Sequence, residues 1–315
     1  MSSYINKQFF LIKFPILFPI FYGIILYSFP SYENLLIIFT ILLLAETHFG
    51  ATWPFFINKV NYSYIYRNKV SLIFFPLIII FFSLIGFIFF KNLFFLIFFA
   101  ANMFHVTRQS VGVCKLYSKD MYENNFQINV IYLFNILFFF IGYFRFYYPF
   151  INSENILLIN ILIIIFGLIF LSIYIIRYNF SENFFTFLTG IIIFYPICFV
   201  DSPVHAIIMG VTMHYVQYLY LTNFISKSRE EELVEKKKFR FRISNFVIIV
   251  LIYSVAMTFF TSIDKITNID LSYLIIIPIT GQLIHFYLDS HIWKFRDKHN
   301  RDNVLRHLQK IIIKN

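Results

Sequence analysis

The chain has 315 residues, of which 59% are hydrophobic, 22% aromatic and only 13% charged, with a formal net charge of +10. So many long apolar runs exclude a soluble globular domain and point to an all-α, polytopic integral membrane helical bundle. The excess of cations falls mainly between the apolar runs and in the tail, which reads as membrane topology and contact with anionic lipids rather than as nucleic-acid binding.

Taking ~20 apolar residues per span, the sequence predicts about ten transmembrane helices. They lie near 8–29, 34–57, 70–90, 92–114, 127–148, 155–177, 183–200, 203–224, 243–263 and 270–292. The first has no small-residue cleavage site and is expected to be retained. Loops after even-numbered spans carry Lys59, Arg67, Lys69, Lys115, Lys119, Arg177 and the run from Lys227 to Arg242, whereas the opposite loops hold little beyond Lys91, Glu154, Asp201, Asp264 and Lys265. The positive-inside rule then puts both termini in the cytoplasm of a bacterial inner membrane. Residues 1–293 read as one transmembrane domain with a polar cytoplasmic loop at 225–242, followed by a basic tail, 294–315.

In the polar loop, Glu232 precedes Lys236 at the spacing of a helical ion pair, as expected of a solvated helix. Asn300 to Ile313 reads as an amphipathic surface helix with Val304, Leu305, Leu308 and Ile312 on its apolar side. The cysteines, Cys114 and Cys198, sit on different spans without metal or disulfide spacing. No Gly-rich phosphate loop, Walker motif or nucleophile elbow occurs, so no nucleotide cofactor is expected.

The histidines carry the functional signal. His48, His105, His214 and His285 fall on the second, fourth, eighth and tenth spans, which run in the same direction. At 1.5 Å per residue all four lie about 18–24 Å below the outer surface of a ~30 Å hydrocarbon core. Neutral imidazoles are good ligands for iron, zinc and copper, and a bound ion offsets the cost of desolvating them. Polar neighbours on the same faces would orient these ligands. Asn102 and Gln109 flank His105, Gln217 and Tyr218 follow His214, and Gln282 and Asp289 bracket His285. His48 has only Ala45, Ala51 and Thr52 on its face, with Glu46 turned away.

The remaining candidates read less sharply. His205, near the outer surface, is expected to anchor an interface or to be capped by Asp201. His291, beside Trp293 and Lys294, is a boundary residue and a reserve ligand. His299 and His307 read as surface residues. Arg108 either snorkels, pairs with Asp289 or Glu46, or receives an anionic headgroup.

At His48-Phe49-Gly50, at Phe104-His105-Val106-Thr107-Arg108-Gln109, and at His285 with Asp289 four residues on, the chain resembles the Brp/Blh family of integral-membrane β-carotene dioxygenases. The resemblance implies a helical bundle holding a non-haem iron, with His48, His105 and His285 as ligands and Asp289 behind them.

The reading that follows is an integral-membrane metalloenzyme, a non-haem iron oxygenase acting on a lipophilic carotenoid-, isoprenoid- or lipid-like substrate. His48, His105, His214 and His285 would bind the metal. Asp289 and Tyr218 would act beside it, Tyr218 as a donor of a hydrogen bond or proton. Asn102, Arg108, Gln109, Gln217 and Gln282 would support the ligands. The rival readings are a proton- or ion-coupled transporter and a non-catalytic assembly or binding protein.

Overall fold

The computed structural model describes residues 7–57, 59–117, 125–151, 153–235, 245–267 and 270–312. The described residues are helical throughout, with no strand among them. Five described helices are long and apolar enough to cross a membrane: Pro30–Phe56, Val70–Phe89, Phe126–Tyr147, Asn155–Tyr178 and Phe246–Ile263. Asn155–Tyr178 shows why such a helix suits lipid, since only 6% of its apolar window is buried by the protein. The histidine-bearing helices Lys91–Tyr117, Pro203–Glu235 and Ile276–Ile292 are not among the five. Polar residues lower the hydropathy of the first two, and the third has 17 residues.

The chain forms two compact units by its internal contacts: 1–37 with 103–217, and 38–102 with 218–315. In the first, Phe126–Gly142 packs on Glu182–Ile192 and on the short turn Tyr195–Cys198. Tyr174 stacks on Phe187 at 4.8 Å, and Asn135 donates to the Gly190 carbonyl at 3.1 Å. Arg145 ties off the end of this turn, donating to the Ile197 and Val200 carbonyls at 2.7 Å each and pairing with Asp201 at 2.6 Å. Hydrogen bonds from a charged donor are worth roughly 1.5–3 kcal/mol each. Ser153–Tyr178 stops at Asn179, whose φ of 60° is the left-handed conformation that ends helices. Gly210 is required by packing, because a Cβ there would overlap the Ile193 carbonyl oxygen.

In the second unit, Glu46–Gly50 packs on Asn245–Thr267, and Ile276–Ile292 packs on Phe75–Phe89. Gly50 makes the first contact close, with an added Cβ falling 3.0 Å from the Tyr253 ring. Just before it, Ile41–Ala45 is wound as a wide π-helical turn. Such a turn inserts a residue into the helix and re-aims the side chains beyond it.

The polar loop extends Pro203–Glu235 as a continuous helix, and its charges are used differently from the expectation. Glu232 pairs with Arg306 at 2.7 Å and with Lys310 at 3.0 Å, while Lys236 lies outside the described residues. Burial pushes the Glu232 carboxyl up, but the Lys310 hydrogen bond and the charges of His307, Arg306 and Lys310 outweigh it and hold the group below its ordinary value. The C-terminal helix does present Val304 and Leu308 inward, both buried; the side chain of Ile312 lies outside the described residues. The surface reading of His307 is corrected, while His299 is half-buried. His307 is buried against Ser228, 2.9 Å away, and His299 stacks on Tyr64 at 4.1 Å. The tail folds onto the long helix through these contacts, which hydropathy alone does not reveal.

Candidate metal centre

In the second unit the re-aimed Glu46–Gly50 helix buries His48 completely. Its ring centroid lies 4.6 Å from that of His285 and 4.4 Å from that of Tyr218. Thr52, one turn beyond His48, brings its hydroxyl oxygen to 2.6 Å from His285 Nδ1 and 3.1 Å from the Tyr218 hydroxyl. Tyr218 donates to Asp289 Oδ1 at 2.6 Å, and Trp293 Nε1 donates to the same oxygen at 2.7 Å.

Two of these contacts have a fixed direction, since Tyr218 and Trp293 both donate to the Asp289 carboxyl oxygen. The Tyr218 oxygen can then accept from the Thr52 hydroxyl, whose own oxygen accepts from His285 Nδ1–H. One unbroken relay runs from His285 through Thr52 and Tyr218 to Asp289. With the Thr52 proton given to Tyr218, the lone pair of His285 stands on Nε2, the nitrogen a metal or a proton would use; with it given to Nδ1, the tautomer is reversed. In the same unit Gln282 donates to Glu46 Oε1 at 3.2 Å, so the buried Glu46 has a hydrogen-bond donor.

In the first unit the rings of His105 and His214 are 5.7 Å apart and nearly perpendicular, and both are buried. Beside them in sequence both apolar residues, Met103, Val106 and Met213, and polar ones, Asn102, Thr107 and Thr212, are buried. Gln217, one turn from His214, is tied to the Ile12 carbonyl at 2.6 Å. That bond holds the N-terminal turn Phe9–Lys13 to the long helix.

The exposures of the four predicted ligands are 0% for His48, 7% for His105, 1% for His214 and 1% for His285. Buried histidine groups of this kind could hold a metal ion. Asn102 is buried and Gln109 half-buried. Arg108 follows the snorkelling alternative and not the supporting role beside the ligands. Its side chain is exposed, with the guanidinium 5.7 Å from the centre of the Phe104 ring, because its long stem lets the charge leave the apolar face that buries His105. His205 is held by Tyr22 at 2.7 Å, while Asp201 is taken by Arg145, so the expected cap is replaced. His291 packs on Tyr287 at 4.8 Å.

Two residues of the relay have no prominent sequence signal. Thr52 stands out only as the i+4 neighbour of His48, and Trp293 reads as a membrane-boundary aromatic. The i+4 spacing of Asp289 and Trp293 on one helix face is the pattern that links them. No family model, curated protein or solved structure matches the chain, so no activity is carried over from a relative.

Proposed function

We propose that the chain is a multi-pass protein of the bacterial inner membrane, with ten spans and both termini cytoplasmic. In this reading His48, His105, His214 and His285 share one non-haem iron, and the protein is an oxygenase for a lipophilic substrate that enters from the bilayer. The observation that carries the reading is the hydrogen-bonded chain from His285 through Thr52 and Tyr218 to Asp289, the kind of support that orients a ligating imidazole.

Two further features support a shared site. Pro203–Glu235 is continuous, so His214 and Tyr218 stand one turn apart on one helix face. Lys91–Tyr117 likewise carries Asn102 and His105 on one face without a break. Four neutral imidazoles leave the full charge of a divalent ion available to polarise a bound group, and iron would supply the chemistry of O2. Splitting one C=C bond with O2 yields two carbonyl fragments, takes up both oxygen atoms and needs no outside reductant. The apolar, aromatic residues of the chain would bind such a substrate and exclude water, and Tyr218 would orient a polar group beside the metal. The likeness of His48-Phe49-Gly50 and of His285 with Asp289 to the Brp/Blh dioxygenases agrees with this assignment.

Metal analysis of the detergent-purified full chain, expressed with ample iron, tests it. Near-stoichiometric iron is expected in the wild type and in His205→Ala, and loss of iron in His105→Ala and His285→Ala at unchanged monodispersity. A wild type that binds no metal, or iron retained after both substitutions, ends the proposal.

A further inference from the structure

Within the second unit, a cavity of about 20 Å³ opens beside the ends of Pro30–Phe56 and Ile276–Ile292. That volume accepts one water or one phosphoryl oxygen. Its wall is formed by Phe55, Asn61, Arg229, His291, His299 and Asn303. Most of these polar groups are already used. His299 Nε2 lies 2.8 Å from Asn61 Oδ1, and the Asn61 amide donates to the Phe55 carbonyl.

Arg229 is different. Its guanidinium lies 4.9 Å from the centre of the Phe55 ring, and its hydrogen bonds go to a single backbone carbonyl, that of Asn303, with the Nε contact at 2.7 Å. Among the described residues it makes no ion pair, although Glu232 is one turn away on the same helix, because Arg306 and Lys310 already hold that carboxylate. Burial lowers the Arg229 pKa to about 10, with the Arg306 charge acting in the same direction and Glu232 against it, and it stays cationic at neutral pH. A half-buried cation without an ion pair loses part of its hydration, and a cavity at its side is the place for a counter-ion. His291, also on the wall, packs its ring on Tyr287 at 4.8 Å. The segment beyond it exposes Lys294, Arg296, Lys298 and Arg301, against Asp302 and an Asp297 that already accepts from Tyr64 at 2.9 Å.

We infer that this cavity binds a phosphate oxygen, as carried by the headgroup of an anionic membrane lipid, with Arg229 as its charged donor. Guanidinium suits phosphate because its donors lie in one plane and match two oxygens at once. The apolar Phe55, Phe56, Ile292 and Val304 at the same cavity fit a ligand whose remainder is hydrocarbon. The site is independent of the histidine layer and stands whether or not a metal binds there.

The test uses the full chain in mixed micelles. Retained lipid is read by native mass spectrometry and the unfolding midpoint by a thermal scan, with phosphatidylglycerol, phosphatidylcholine or inorganic phosphate added at matched ionic strength. Phosphatidylglycerol is expected to remain bound and to raise the midpoint of the wild type, phosphatidylcholine to do neither. Arg229→Gln is expected to bind phosphatidylglycerol about tenfold or more weakly, as the loss of one charge-assisted contact implies. Arg229→Lys, which keeps the charge, and Arg306→Gln, at an exposed cation, should each retain more binding than Arg229→Gln. A response to inorganic phosphate alone would support the phosphate chemistry and identify a free anion as the source; a response to phosphatidylglycerol alone would identify the lipid. A wild type indifferent to both anions overturns the inference without any variant, as does an Arg229→Gln protein that responds like the wild type.

Discussion

His48 and His285 in one unit, and His105 and His214 in the other, are equally buried but are supported by different means. Behind His285 stands a chain of hydroxyls ending on a carboxylate that also takes an indole N–H. His105 and His214 face each other at a ring separation of 5.7 Å, and the nearby amide of Gln217 is spent on a backbone carbonyl. The first arrangement holds an imidazole by side-chain hydrogen bonds, while the second sets a position through close backbone packing at Gly210. The His285 side therefore depends on Thr52 and Tyr218, and the His214 side on helix placement.

Four changes would break or sharpen this contrast. The largest effect is expected at Gly210→Ala, where the new methyl group meets the Ile193 carbonyl; about 3 kcal/mol of stability should be lost, at the upper end for overpacking. A thermal midpoint equal to that of the wild type would show that the backbones are not held as described. Asp289→Asn keeps the shape but removes the charge at the end of the relay, and metal affinity should fall about 10–100-fold in a chelator competition with the fold intact. Equal affinity would remove the distinction between the two pairs. Thr52→Val, nearly isosteric, interrupts the relay in its middle and should weaken metal binding about tenfold. Recovery by Thr52→Ser is the expected control.

The smallest effect is expected with pH at the C-terminal helix. Burial lowers the His307 pKa from 6.5 to about 4, with Arg229, Arg306 and Lys310 acting in the same direction and Glu232 opposing. Between those values the unfolded chain binds more protons than the folded one, so stability rises with pH across this window and is lost as pH falls through it. The protection factors of the amides over 306–312, corrected for intrinsic exchange at each pH, should fall from pH 7 to pH 5, and His307→Gln should flatten the response. An unchanged profile in that variant would exclude His307 as the cause.

Hydropathy made the helical class and the apolar helices legible, because lipid demands long runs whose backbone bonds close internally. The burial of four histidines on four separate apolar stretches could also be anticipated, since helical rise converts residue number into depth. What could not be read was phase and partnership. The wide turn Ile41–Ala45 re-aims the residues beyond it, and no propensity announces such a turn. Thr52 and His285 meet across 233 positions of sequence. Of the alternatives open for Arg108 the structure takes snorkelling, its stem being long enough to carry the charge out. His307 was placed at the surface because a polar tail after the last span looks solvated, yet the long helix gives it a dry wall.

The division of the chain also bears on how the protein is made. Each unit is assembled from two separated stretches, and 38–102 must wait for 218–315 before its contacts can form. A ribosome emits ~5–20 residues per second, so Glu46, His48 and Thr52 stand in the nascent chain for roughly ten seconds or more before Gln282, His285 and Asp289 follow. During that interval a carboxyl and an imidazole destined for a dry interior lack the partners that will satisfy them. Biogenesis should therefore depend on a holding step, a chaperone or insertase that shelters the second hydrophobic stretch. Shortening the gene at its 3′ end should leave the early segments as substrates for membrane proteolysis.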